Sequence, residues 1–335
     1  MSFFRVIKGK NAWIFSGMII LTFFSIVMSI TFGPATITSN DIFQCVVNEC
    51  ASPMHDMVIW QIRIPRVLVG LVAGMGLACA GAILQNVTRN PLADPYLFGI
   101  ISGAGLGATI ATLILSEEQM LALPLAAFLG ALFSVIIVFG IATLLRNMNH
   151  LLLTGVAVSF MLGSISHFIL YLGDPFATNR VIFWLMGSLT RVEMFHFYLI
   201  SIMVLLTLVT IFAFHRQIDA LLLGDESAAS LGVNVDKLRI ILLALCAAVT
   251  ATIVAYCGGI GFVGLMIPHI VRQLVGVTTM PLIVGSALIG GCFLVWVDVL
   301  ARSALSSVEI PIGIITSAIG SIFFLAIMYR TRKTG

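Results

Sequence analysis

Few side chains in this sequence could carry chemistry, and their spacing narrows what that chemistry is. The six histidines include no pair at i, i+4, the helical spacing at which two imidazoles can share a metal. His167 and His269 fall in long apolar stretches, and neither has a partner at metal-ligand spacing. There is no Gly-x-x-x-x-Gly-Lys-Ser/Thr phosphate loop, so ATP hydrolysis of that kind is not this chain's own work. An intramembrane enzyme would need a compact constellation that is missing. No catalytic residue, metal site or bound cofactor is expected.

Three groups remain. Arg63, Arg66 and Arg302 are isolated guanidinium groups, with Asp298 four residues before Arg302, a spacing that lets a carboxylate orient it on a helix. Asn90-Pro91-Leu92-Ala93-Asp94-Pro95 has two prolines that forbid a continuous helix, so its freed backbone groups must face water or protein. Gly224-Asp225-Glu226-Ser227-Ala228-Ala229-Ser230-Leu231-Gly232 reads as a short helix. Its acidic first turn complements the helix dipole, Ala228 and Ala229 offer a closely packing face, and Gly232 is the C-terminal stop. Asn234 or Asp236 can cap the helix that follows. On residue type alone this stretch is either a capped connector or a docking element. The arginines likewise either snorkel to lipid headgroups or recognise carboxylates through their planar fork.

The elements that position these groups are membrane helices. Of 335 residues, 60% are hydrophobic and 9% charged, with mean hydropathy +1.14, whereas a soluble domain carries about 25% charged residues. Uncharged runs cover 12–32, 67–88, 95–116, 119–145, 147–173, 194–215, 240–271, 273–297 and 310–329, each long enough for the ~20 residues a bilayer requires. The first run follows Arg5, Lys8 and Lys10 but exceeds a signal-peptide h-region and lacks a small-x-small cleavage site, so it is expected to be retained. The net charge of +3 bears on orientation, and no basic patch suggests nucleic acid.

Gly258-Gly259, Gly261, Gly264 and Pro268 divide the region 240–300 into three spans, giving ten helices near 12–32, 65–87, 96–115, 120–145, 150–172, 195–214, 240–257, 262–277, 281–300 and 311–329. With the N-terminus in the cytosol, twelve of the 17 basic residues lie inside and Arg63, Arg66, Arg180, Arg191 and Arg302 outside, as the positive-inside bias requires. Nine spans would strand the basic C-terminus outside. The expectation is an all-α polytopic membrane protein with both termini cytosolic. Segment 181–189 is too short to cross and reads as an outer interfacial helix with Trp184 at the headgroups, or as a core-packing connector. Residues 33–59 form the longest outer loop, where Cys45 and Cys50 could pair, and 215–239 the longest inner one. Cys79, Cys246, Cys257 and Cys292 read as small apolar residues.

Two pairs of segments look alike. Gly155 onward, GVAVSFMLGSISHFILYL, resembles Gly313 onward, GIITSAIGSIFFLAIMY, and residues 81–100 more weakly resemble 250–270. In the ten-span arrangement the members of each pair run in opposite directions, the pattern of an inverted repeat whose halves enclose a transport pathway. The chain is expected to be one permease domain, 1–335, with approximate halves 1–190 and 191–335.

Seven stretches in order resemble the FecCD/BtuC family, permeases that import iron-siderophore complexes, haem and cobalamin. They are Arg63-Ile64-Pro65-Arg66; Gly81 to Gln85; Asn90 to Pro95; Leu223 to Asn234; Gly258 to Leu265 with Pro268-His269-Ile270-Val271-Arg272; Asp298 to Arg302; and Pro311-Ile312-Gly313. The resemblance implies a type II ABC importer permease. It implies that Gly224, Asp225, Glu226, Ala228, Ala229, Leu231 and Gly232 couple the chain to an ATPase, and that Arg63, Arg66 and Arg302 dock a binding protein. It further implies that Asn90 and Leu92 narrow the inner mouth opposite Asn147 to Asn149. The implied assembly is a homodimer, or a pair with a paralogous permease, with two cytosolic ABC ATPase subunits that use ATP and Mg and a periplasmic or lipid-anchored binding protein. Ferric siderophore is the commonest cargo such a resemblance suggests; haem, cobalamin and an oxyanion such as molybdate stay open.

A secondary transporter is the rival class. It would need carboxylates or lysines deep in the spans for ion coupling, and the deep runs hold histidine but neither of those. With ten spans, single cysteines at Thr334 and Asn40 are expected to label from opposite sides of the membrane; labelling of both from one side would rule out that count.

Overall fold

The computed structural model describes residues 10–33, 37–47, 50, 52–114, 122–145, 148–305 and 308–334. Among them every regular element is helical. Eight helical segments are long and apolar enough to cross a membrane, and Ile100–Thr112 and Val263–Val275 are shorter apolar helices. In chain order the ten are α1 (Lys10–Thr31), α2 (Ile64–Thr88), α3 (Ile100–Ile114), α4 (Ala122–Leu145), α5 (Met148–Leu172), α6 (Met194–Leu221), α7 (Val235–Cys257), α8 (Val263–Val275), α9 (Thr279–Ser303) and α10 (Ile312–Thr334). They fall where the ten spans were expected. The main departures are at α2 and α6. α2 ends a helical segment that begins at Pro53 and runs through a π-helical stretch at Met57–Arg63, inside the expected outer loop 33–59. α6 overruns its apolar stretch to end at Leu221 rather than near residue 214.

Two helices are short among the described residues. At 1.5 Å per residue, the 15 described residues of α3 and the 13 of α8 extend about 20 Å, against a hydrocarbon core of roughly 30 Å. Connectors 89–99 and 258–262 lead into them. The first holds the Pro91 and Pro95 breaks and a 3₁₀ turn at Pro95–Phe98; the second is non-helical.

α2 forms the centre. Of its most apolar window 78% is buried, with 72% for α9 and 67% for α7, against 17% for α10. α2 packs on α6, α7, α8 and α9, while α1 lies on α9. The two halves of the chain therefore interlock, with no seam at residue 190. α3, α4 and α5 pack on one another, and α4 and α3 meet α7.

The internal repeat has a structural counterpart. From α2 to α5 the lengths run 25, 15, 24 and 25 residues; from α7 to α10 they run 23, 13, 25 and 23. The glycines that open the similar segments do the same work. A Cβ on Gly155 would collide with the Leu97 carbonyl of the first connector, and one on Gly313 with the Gly259 carbonyl of the second and the Met186 carbonyl. In each half a glycine on the last helix lets the interrupted connector lie against it.

Segment 181–189 is the core-packing alternative. After a helix at Pro175–Leu185, its backbone pairs with two separate segments of the second half: Ser188 N–H donates to Cys257 O at 2.9 Å, Ile312 N–H to Gly187 O at 3.0 Å and Gly313 N–H to Met186 O at 3.0 Å. Trp184 packs against the main core. In the outer loop, Cys45 and Cys50 are joined as a disulfide.

Gly155→Ala and Gly313→Ala each force a methyl group into a backbone contact, an overpacking expected to cost about 1–3 kcal/mol. Gly17→Ala, where a Cβ has no neighbour within 4 Å, is the control. Thermal midpoints in detergent should separate the first two from the third; equal midpoints would show that these close approaches are slack.

Candidate functional site

Where the connectors meet there is a cavity of about 640 Å³, lined by Leu92, Asp94, Tyr96, Met186, Phe262 and Ser317 among others. The Tyr96 hydroxyl accepts from the Ile260 N–H at 3.3 Å, joining the first connector to the second. Asp94 caps the 3₁₀ turn, its Oδ1 accepting from Tyr96 N–H at 2.8 Å. Its other oxygen has no hydrogen-bond partner. Leu92 lines the cavity and is half exposed. Asn90 is not among the lining residues; its side-chain oxygen accepts from Leu92 N–H at 2.9 Å, so it shapes the turn that presents Leu92. Of the residues expected opposite, Asn147 lies outside the described residues, and Asn149 is placed only by its backbone in the first turn of α5.

α2 ties this region together at its C-terminal end. The Gln85 amide donates to Gly264 O at 3.2 Å, holding the start of α8. Arg272, near the end of α8, donates to Gln85 Oε1 at 3.2 Å and Asn86 Oδ1 at 3.3 Å.

The inner loop folds as a helix over Asp225–Ser230. Val233 N–H donates to Ala228 O at 3.1 Å and Gly232 N–H to Ala229 O at 2.9 Å, the paired bonds of a Schellman stop. Gly232 has φ +83°, the left-handed conformation glycine adopts without penalty. Asn234 Oδ1 accepts from Lys237 N–H at 3.1 Å and caps α7. Ala228 is fully buried and seats the helix on its own protein, while Ser227, Ala229, Ser230 and Gly232 stay exposed. Leu223 and Leu231 are exposed apolar side chains beside them, at 69% and 66%. Asp225 is gripped by Arg239 (Nη2 to Oδ1 3.0 Å) and by Arg89 (Nη2 to Oδ1 2.9 Å). The hydrogen bond from Arg239 holds the Asp225 carboxyl below the ordinary carboxylate range, and the charges of Arg239 and Arg89 act the same way.

At the other end the three expected docking arginines form one buried cluster. Arg66 donates to Asp298 Oδ1 at 2.7 Å and grips Glu309 with both terminal nitrogens, at 3.0 and 2.7 Å. Arg302 pairs with Asp298 at 3.4 Å and donates to Ser29 O at 2.9 Å. Arg63 donates to Ile30 O at 2.7 Å and Thr31 O at 3.2 Å. Two arginines thus cap the exposed carbonyl end of α1, where positive charge is favoured. Arg63, Arg66 and Arg302 are only 3–5% exposed. In this conformation they point inward, and a partner's carboxylate could reach Arg66 only by taking the place of Glu309. Glu309, Arg89 and Arg239 are the members of these networks that residue type and spacing did not single out. Among the described residues no group of three or more His, Cys, Asp or Glu could hold a metal; His269 stacks edge-on against Phe323.

Comparison with known proteins agrees with this architecture. The FecCD transport family profile matches residues 20–330. The chain is 40% identical to the cobalamin import system permease protein BtuC of Halobacterium salinarum over 276 residues, covering 81% of this chain and 73% of that one. It is 39% identical to the hemin transport system permease protein HmuU of Yersinia pestis over 284 residues, 82% and 84% of the two chains. With the Fe(3+) dicitrate transport system permease protein FecD of Escherichia coli it shares 37% over 279 residues, 83% and 87%. A solved structure assigned to a metal-chelate type ABC transporter, in an inward-facing conformation, superposes with a TM-score of 0.85 at 30% identity. The superposition covers 95% of this chain and 99% of that one.

The outer cluster makes an energetic prediction. Asp298→Asn strips the charge that two buried arginines share, and breaking a buried pair costs about 3–5 kcal/mol. Glu309 is 36% exposed on its side chain, and losing its charge should cost about 1 kcal/mol or less. Thermal unfolding of the two variants should therefore differ clearly; a Glu309→Gln variant as unstable as Asp298→Asn would contradict this ranking.

Proposed function

The chain belongs to the FecCD transport family, and from that premise we propose that it is one permease subunit of an ATP-driven importer in a bacterial inner membrane. Two copies, or one copy and a paralogous permease, would enclose the pathway with both termini in the cytosol. Two separate ATPase subunits bind ATP and Mg, and a soluble or lipid-anchored binding protein delivers the cargo. The observation that carries this reading is the inner loop. A short helix, stopped by Gly232 and seated through Ala228, sets Leu223 and Leu231 out in water. Exposed apolar residues on a rigid, polar-flanked element suit a groove in a partner.

For cargo we propose a ferric chelate of siderophore type. The three relatives are named for cobalamin, hemin and ferric dicitrate, so kinship alone does not choose among chelates. The cavity favours a bulky chelate over a small oxyanion such as molybdate: it is about 640 Å³, and among its lining residues Asp94 carries the charge with no Lys, Arg or His beside it. Identifying the ligand retained by the cognate binding protein tests the cargo; retention of an oxyanion would overturn it. The docking role of Arg63, Arg66 and Arg302 belongs to the same proposal and requires their internal partners to be exchanged for those of the binding protein.

Gly232→Trp tests the coupling role. No atom lies within 4 Å of the added Cβ, so any defect comes from the left-handed backbone, about 1–2 kcal/mol for an L-residue, and from bulk on the docking face. Uptake into proteoliposomes should fall about tenfold or more, the equivalent of 1.4 kcal/mol, while the permease stays folded. Uptake and binding-protein-stimulated ATP hydrolysis at wild-type levels would refute it.

A further inference from the structure

α2 and the inner-loop helix end with the same hydrogen-bond motif but not with the same residue. In the inner loop the left-handed position is Gly232. In α2, Asn90 N–H donates to Gln85 O at 3.1 Å and Arg89 N–H to Asn86 O at 3.4 Å, so the equivalent position is Arg89, at φ 52°. Arg89 and Phe262 are the non-glycine residues at positive φ among those described, and each stands at an end of one of the two connectors. A strained backbone persists where something else in the structure holds it. From that position the Arg89 side chain reaches the inner loop: its Nη2 lies 2.9 Å from Asp225 Oδ1, and its guanidinium lies over Gly224, with Nη1 3.5 Å from where a Cβ would be.

This pair joins two elements that are far apart in the chain and have different tasks. Asp225 opens the inner-loop helix, and Arg89 opens the connector that presents Leu92, Asp94 and Tyr96 to the cavity. Arg239, nine-tenths buried beneath the same carboxylate, fixes Asp225 to the first turns of α7. We propose that Arg89 is a positioning residue that transmits displacement of the inner-loop helix to connector 89–99, and so to the inner side of the cavity. The inference rests on the coupling role given to that helix above. Both partners are more than 40% exposed on their side chains, so the pair contributes little to stability. Its effect is directional, steering the backbone at the point where α2 stops.

The strained backbone supplies the test. Arg89→Gly cuts the link yet gives the left-handed position the residue that suits it, so folding should be kept or improved. The four free cysteines are buried, which leaves Leu92→Cys and Ser230→Cys, placed singly, as the reactive sites for a bulky maleimide. The rate of modification is measured in the complete transporter with its ATPase subunits, without nucleotide and with ATP plus vanadate. With Arg89 present, nucleotide is expected to change the rate severalfold at both positions. With Arg89→Gly the change at position 92 should disappear, the change at position 230 should remain, and the thermal midpoint should equal or exceed that of the parent. Asp225→Asn, which cuts the tie without altering residue 89, should also silence position 92, and Arg89→Lys should preserve its response. A nucleotide response at position 92 that survives Arg89→Gly would overturn the link while leaving the coupling helix in place. No response at position 230 with Arg89 intact would overturn the coupling role, and the link with it.

Discussion

A peptide group at membrane depth has no water to bond with, and this fold is organised around the two places where its helices stop short. Because non-helical connectors precede α3 and α8, the backbone of 89–99 and 258–262 must be satisfied from within the protein. The solution brings four distant segments together. Residues 185–188 receive and supply bonds to 257–259 and to 312–313, and the Tyr96 hydroxyl serves Ile260. The cavity lies where these segments converge because that is where side chains give way to backbone. Burial of α2 on every side follows from the same requirement, since Gln85 must reach Gly264 to hold the start of α8.

Charge is kept to the two ends of this framework. At one end, guanidinium groups fill the carbonyl terminus of α1 and share Asp298. At the other, Arg89 and Arg239 share Asp225, and Arg272 reaches the side chains of α2. Each network spans helices from both halves of the chain. Between them, Asp94 is the acidic side chain of the connectors, and burial leaves one of its oxygens unpaired.

Much of this was legible in the sequence because a bilayer sets the lengths of the helices crossing it. The ten spans, the short α8 framed by glycines, the helix at 225–230 and its Gly232 stop follow from hydropathy, proline and glycine alone. The end of α6 did not, because hydropathy marks where lipid ends and not where the helix ends. Which small residue of the inner helix turns inward was not legible: small residues announce close packing, but not on which side, and Ala228 packs inward while Ala229 stays exposed. The arginines at 63, 66 and 302 were visible by type, and the Asp298–Arg302 spacing was informative. Their remaining partners, Glu309 and the carbonyls of α1, lie more than 30 residues away in sequence, and spacing does not report such pairs. Arg89 left no signal, because a left-handed stop is read from glycine.

The capping of α1 has a consequence for how the protein is made. Arg302 reaches Ser29 across 273 residues of chain, Trp296 donates to Ser25 across 271, and Cys292 meets Thr22 across 270. At synthesis rates of about 5–20 residues per second, roughly 15–50 seconds separate the appearance of α1 from that of α9. Throughout that interval the first helix has no neighbour for its polar stripe. Thr22 and Ser29 meanwhile can bond the carbonyls of their own helix, as they do in the finished fold. The polar stripe of α1 is thus among the last features to be secured, and a chain stopped short of α9 leaves that helix held through Arg63 and α2 alone.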